Sequence, residues 1–123
     1  MTKQVLVIDD DDGVREIIQI SLEAVANWTV WAASTGRDGI KIAEEKQPDL
    51  ILLDVMMPEE DGVVVYKQLQ ANAKTAAIPT IMLTAKAQAS ERQPLLALGI
   101  NGIITKPFQA RGLIQQITEM LAW

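Results

Sequence analysis

Two residue types are missing altogether, since the 123 residues contain neither cysteine nor histidine. Without cysteine there are no disulfides and no thiolate metal sites. Without histidine no imidazole can serve as general base or as a phosphohistidine within this chain. No apolar run approaches the roughly 20 residues that a membrane-spanning helix needs, and the four-residue run 5–8 behind Met1 is too short for the apolar part of a secretory signal. These absences predict a cytoplasmic protein with no membrane contact. Linkers rich in proline, glycine or serine, internal repeats and low-complexity tracts are also missing. Basic charge is in short supply: 11 lysines and arginines stand against 16 acidic residues, a net charge of -5, which argues against a broad grip on nucleic acid phosphates.

What remains is the composition of an ordinary globular protein, 49% hydrophobic and 22% charged. The length suits one compact domain over residues 1–123, because domain sizes peak at about 100–150 residues. Short apolar runs at 5–8, 29–33, 50–53, 80–83 and 102–105 have the length and continuity of strands buried on both faces. Helical spacing separates them: Val14, Ile17, Ile18, Leu22 and Val25 share a face in the first helix, and Leu113, Ile114, Ile117, Met120 and Leu121 in the last. Such alternation predicts an α/β fold, a doubly wound five-stranded parallel sheet with five helices. Asp12 and Asp61 are candidate caps for the first and third helices, and Gly99 a candidate end for the fourth. Residues 63–66 (Val-Val-Val-Tyr) have strand propensity, but a parallel sheet requires a crossover there, so the segment is assigned to helix. Pro94 lies inside the expected fourth helix, 87–98, and predicts that this helix starts late or frays.

In an open sheet of this type, ligands bind beyond the carboxyl ends of the strands, where the strand order reverses. Those ends carry Asp9-Asp10-Asp11-Asp12 after strand one, Asp54 after strand three, Thr84 after strand four and Thr105-Lys106 after strand five. With the order 2-1-3-4-5, four of these ends become neighbours. Crowded carboxylates repel one another unless a proton or a cation relieves them, and an oxygen-rich site favours Mg2+ or Mn2+. Asp9, Asp10 and Asp54 supply three negative charges; one divalent ion and Lys106 supply three positive. A phosphoryl group entering there would meet a metal, an ammonium and the Thr84 hydroxyl, with Asp54 as nucleophile. Asp11 and Asp12 are read as solvent-exposed charge or caps, whereas Asp9, Asp10 and Asp54 abut buried strands, where uncompensated charge is costly. No register of the aspartates matches a calcium-binding EF-hand loop.

Four motifs, Val7-Ile8-Asp9-Asp10, Leu52-Leu53-Asp54-Val55-Met56-Met57-Pro58, Thr84-Ala85 and Lys106-Pro107-Phe108, resemble the receiver domains of two-component response regulators, in order and across the whole chain. The resemblance implies a flavodoxin-like fold with Asp54 as phosphoacceptor, Asp10 binding Mg2+ directly, Asp9 acting through water and the Met56 backbone carbonyl completing the metal ligands. It further implies that Thr84 and Lys106 hold the phosphoryl oxygens, that Lys106-Pro107 is cis, and that Met56 and Lys86 tune phosphoryl lifetime. The implied partners are a histidine kinase or phosphotransfer protein upstream and a protein target downstream, reached through helix four, strand five and helix five, with the chain a monomer or a phosphorylation-dependent dimer. With the chain closing at Trp123, no output module is expected unless the sequence is part of something longer. Many receivers have an aromatic residue in strand five where this chain has Ile103, so output is expected to rely more on helix four, with Ile103 and its apolar neighbours as contacts.

Two rivals remain. One is an Mg2+-dependent phosphohydrolase with an aspartate nucleophile; such enzymes place the nucleophile after strand one, commonly with a threonine, and shelter substrate under a cap, whereas residue 13 is glycine and no insertion is long enough. The other is a degenerate receiver acting as a binding module, which the intact Asp54, Thr84 and Lys106 disfavour. Beyond its own phosphorylation and dephosphorylation, the chain is not expected to be an enzyme.

Overall fold

The computed structural model describes residues 2–58, 60–85 and 88–123. Five strands, β1 (Gln4–Ile8), β2 (Thr29–Ala33), β3 (Leu50–Asp54), β4 (Thr80–Thr84) and β5 (Gly102–Thr105), alternate with α1 (Asp12–Ala26), α2 (Gly36–Lys46), α3 (Gly62–Ala71), α4 (Ala89–Leu96) and α5 (Ala110–Leu121). All strand pairings are parallel, as expected from the alternating pattern, and the order is β2-β1-β3-β4-β5, the one taken with the flavodoxin-like fold. The chain steps out from β1 to β2, then crosses back past β1 to β3, so the order reverses beside β1 and β3.

Side chains alternate through the sheet. Val5, Val7, Leu50, Leu52, Ile81, Leu83 and Ile104 meet Ile18 and Leu22 of α1 and Leu113 and Ile117 of α5. Leu6, Ile8, Ile51, Leu53, Met82 and Ile103 point the other way, into Ala43 of α2, Val65, Tyr66 and Leu69 of α3, and Leu95 of α4. This period of two, covered on both faces, explains why the strands read as unbroken apolar runs. The crossover requirement overrides β propensity at 63–66, which is helical.

Several local expectations need correction. The cap of α1 is Asp11, not Asp12: Asp11 keeps an extended backbone and its Oδ1 accepts from the Val14 N–H at 3.1 Å, while Asp12 is already helical. In α1, Ile17 and Val25 are exposed, because Ile17 sits at the margin of the face formed by Ile18 and Leu22, and Val25 lies in the last turn. Asp61 does cap α3, accepting from the Val63 N–H at 2.8 Å. The fourth helix is shorter than 87–98; it begins at Ala89, retains Pro94 inside and has no side-chain cap, while Gly99, with a φ of 94°, turns the chain three residues past its end. Ala87 lies outside the described residues. Ile103, expected at an exposed contact face, is buried: α4 covers that side of the edge strand.

Candidate functional site

The carboxyl ends of β1, β3, β4 and β5 form one rim, and the polar residues at those ends converge there. Asp9 follows Ile8 directly; its N–H donates to the Ala33 carbonyl at 3.1 Å, and its side chain is fully buried. Oδ1 of Asp9 accepts from the Asp11 N–H at 2.9 Å, which folds the chain into α1. Asp54 is the last residue of β3 and only 4% exposed. One carboxylate oxygen from each of Asp9, Asp10 and Asp54 lies within 4.8 Å of the others, with Asp10 at the exposed side. Lys106, just beyond β5, closes the cluster: its Nζ donates to Asp9 Oδ2 at 2.7 Å and lies 3.3 Å from Asp54 Oδ1. The Lys106 N–H is fixed by the Thr84 carbonyl at 2.8 Å, so the end of β4 sets the start of the lysine. Thr84 itself is buried at that strand end. The Lys106-Pro107 bond is cis.

Electrostatics follow from this packing. Burial strips water from the Asp54 carboxylate, and the neighbouring Asp9 charge repels it; together these outweigh Lys106 and the Met56 N–H and push the Asp54 pKa up to about 6. Burial works to lower the pKa of Lys106, but its hydrogen bond to Asp9 and the charges of Asp9 and Asp54 prevail, and the net shift is upward. The site thus holds a firmly cationic lysine between two buried carboxyls.

The loop after β3 turns back tightly. Met56 N–H donates to Asp54 Oδ1 at 3.2 Å, Met56 bridges Asp61, and Gly62 N–H donates to the Val55 carbonyl at 2.8 Å. A Cβ at Gly62 would strike the Asp54 carbonyl and the Val55 backbone, so α3 approaches β3 closely only because this residue is glycine. The expected tuning position Lys86 lies outside the described residues; Met56, the other one, is 63% exposed beside the site.

Two residues escaped the reading of the sequence. Arg15 donates through Nη1 to the Asp9 carbonyl at 2.7 Å and pairs with Asp12, gripping the acidic turn from α1. Its spacing of three residues from Asp12 on a helix was the available signal. Glu60 accepts from the Gly36 N–H at 2.9 Å, a contact across 24 residues that no local pattern announces.

With this geometry in place, comparison with known proteins is direct. The sequence model for the response regulator receiver domain matches residues 5–118, and the chain belongs to that family. It is 38% identical to the alkaline phosphatase synthesis transcriptional regulatory protein PhoP of Bacillus subtilis over 98% of this chain and 49% of PhoP. The chain spans about half the length of the curated relatives it matches. Its structure is similar to that of the chemotaxis response regulator CheY4 of Vibrio cholerae, with a TM-score of 0.90 and 27% identity, covering 98% of this chain and 99% of that one. It shares its fold with the receiver domain of a sensor histidine kinase of Pseudomonas aeruginosa PAO1, with a TM-score of 0.86, 24% identity and full coverage of both; that structure has a magnesium ion coordinated in its active-site cleft. The chain is therefore a receiver domain of two-component signalling, a class of signalling module. Among the described residues, no helix is long and apolar enough to cross a membrane.

Proposed function

We propose that Asp54 accepts a phosphoryl group from the phosphohistidine of a histidine kinase or phosphotransfer protein, and that the modified domain signals to a protein partner in the cytoplasm. The observation that carries this reading is the buried Asp54 carboxylate, gathered within 4.8 Å of Asp9 and Asp10 and 3.3 Å from the Lys106 ammonium. The donor set fits a hard divalent ion, since the cluster offers carboxylate oxygens alone. Asp9, Asp10, Asp54 and the Met56 carbonyl would hold Mg2+ or Mn2+, with Asp9 acting through water. When bound, such an ion neutralises charge on the carboxylates and on the phosphoryl oxygens. The magnesium in the cleft of the Pseudomonas receiver domain supports that choice.

An oxygen of Asp54 bonds to phosphorus as the bond from phosphorus to the donor's imidazole nitrogen breaks, with the electron pair staying on nitrogen. The product is an acyl phosphate on Asp54 and a histidine freed of its phosphoryl group. Lys106 and Thr84 hold the phosphoryl oxygens, a role supported by their positions at adjacent strand ends. Attack by water on the acyl phosphate returns Asp54 and releases phosphate, so turnover is confined to the chain's own modification. Output passes through α4, β5 and α5. Incubation with acetyl phosphate and Mg2+ followed by mass spectrometry is expected to add one phosphoryl group, absent in Asp54→Asn; equal labelling of that variant would sink the assignment.

A further inference from the structure

The loop between β3 and α3 carries Met56, and its base is closed by the Gly62–Val55 hydrogen bond and the Met56–Asp61 bridge. Between those ties Met57 is buried in the core, and a polar tie is added by Glu60. Its Oε1 accepts from the N–H of Gly36, the first residue of α2, at 2.9 Å, and its own N–H donates to the Met57 carbonyl at 3.3 Å. At that helix end Thr35 already takes the Asp38 N–H at 3.1 Å, so the Glu60 carboxylate satisfies a different free donor and lies where the helix dipole favours negative charge.

Position 36 is shaped for this contact. A Cβ there would run into the Glu60 carboxylate and Val65 Cγ2, so the glycine leaves room for the carboxylate against the helix end. Glu60, Met57 and Pro58 line a cavity of about 190 Å3 together with Asp10, Ser34 and Thr35. The loop and the acidic cluster thus share a wall.

We propose that Glu60 is a positioning residue: by mooring the loop to α2 it holds the Met56 backbone steady for the cation, and so sets metal affinity without touching the metal. This inference rests on the metal-site reading above. Calorimetric titration of the full chain with Mg2+ tests it, beside amide exchange by NMR. Glu60→Met is expected to weaken Mg2+ binding roughly three- to tenfold. Glu60→Gln, which keeps the acceptor oxygen, stays within about twofold of the unaltered protein, and Gly36→Ala, which displaces the carboxylate, follows Glu60→Met. In metal-free Glu60→Met the Gly36 and Met56 amides exchange roughly tenfold faster while α1 and α5 amides are unchanged, which separates loop release from general destabilisation. Unaltered Mg2+ affinity in Glu60→Met overturns the proposal, as does a Glu60→Gln variant as weak as Glu60→Met, which assigns the effect to charge. If the unaltered protein shows no Mg2+ binding that Asp10→Asn removes, the metal-site reading itself fails, and that outcome is visible without any change at Glu60.

Discussion

Two helices on opposite sides of the sheet, α1 and α4, are secured very differently. On one side α1 runs 15 residues, starts on the Asp11 cap and ends with Asn27 in a left-handed conformation, and its buried Ile18 and Leu22 pack with α5 over the sheet. On the other, α4 has eight residues, one buried side chain, no side-chain cap and a proline inside, and it covers the edge strand beside Thr84. The carboxyl rim between them holds three carboxylates drawn together at one end of an apolar sheet. Burial and capping are thus fuller in α1 than in α4, so local opening is expected to cost less in α4.

The contrast is broken or sharpened first by truncation. Leu22→Ala, at a fully buried position of α1, is expected to cost about 3 kcal/mol in denaturant unfolding, whereas Leu96→Ala, in α4 and 48% exposed, changes stability by no more than about 0.5 kcal/mol. Similar losses from both would erase the asymmetry. Next in size is the rim itself. The Asp54 carboxyl titrates near 6 in the fold against 3.8 for the free group, so the folded state binds the extra proton between those values. Its favourable share of stability is complete below about pH 4 and is lost as pH rises through 6. Asp54→Asn removes that loss: with divalent ions chelated, the variant is expected to be more stable than the parent by about 2 kcal/mol at pH 8 and equal to it near pH 3.5. A variant no more stable at pH 8 would show that Lys106 fully compensates the buried charge.

Completeness of burial also explains what the sequence disclosed. Strands such as 50–53 and 80–83 were legible because burial on both faces makes them continuous apolar runs, and the parallel topology then forced residues 63–66 into a helix. Asp9, Asp54 and Lys106 were legible as candidates because charged residues directly after buried strands are costly unless they meet, and their carboxylates and ammonium do meet. Less visible were features decided by a single residue's backbone or by contact across the chain. The cap of α1 shifted by one position within a run of four aspartates, any of which offers the same acceptor. The burial of Ile103 depends on α4 lying over β5, and the Glu60–Gly36 tie depends on two loops meeting at the rim; neither leaves a local periodic trace.

Smaller effects bear on how firmly α4 is held. Pro94 has no N–H to offer the preceding turn, and Pro94→Ala is expected to raise the free energy of local opening of α4 by about 1–2 kcal/mol in native-state hydrogen exchange, with α1 amides unaffected. Unchanged α4 protection would trace any weakness there to poor burial instead.

The finest distinction is in the caps. Asp11 accepts from the Val14 N–H, so Asp11→Ala leaves that donor unmet and is expected to cost about 1 kcal/mol, while Asp11→Asn, which keeps an acceptor and loses the charge, costs much less. At the corresponding position of α4, Gln88 makes no side-chain cap, so Gln88→Ala is expected to change stability by less than about 0.5 kcal/mol and Gln88→Asp to raise it by about 0.5–1 kcal/mol. Equal losses in Asp11→Ala and Asp11→Asn would mean that the charge of the acidic turn, held by Arg15, matters more than the cap. The two helix starts would then differ in electrostatics, and the bonding contrast drawn from their geometry would not stand.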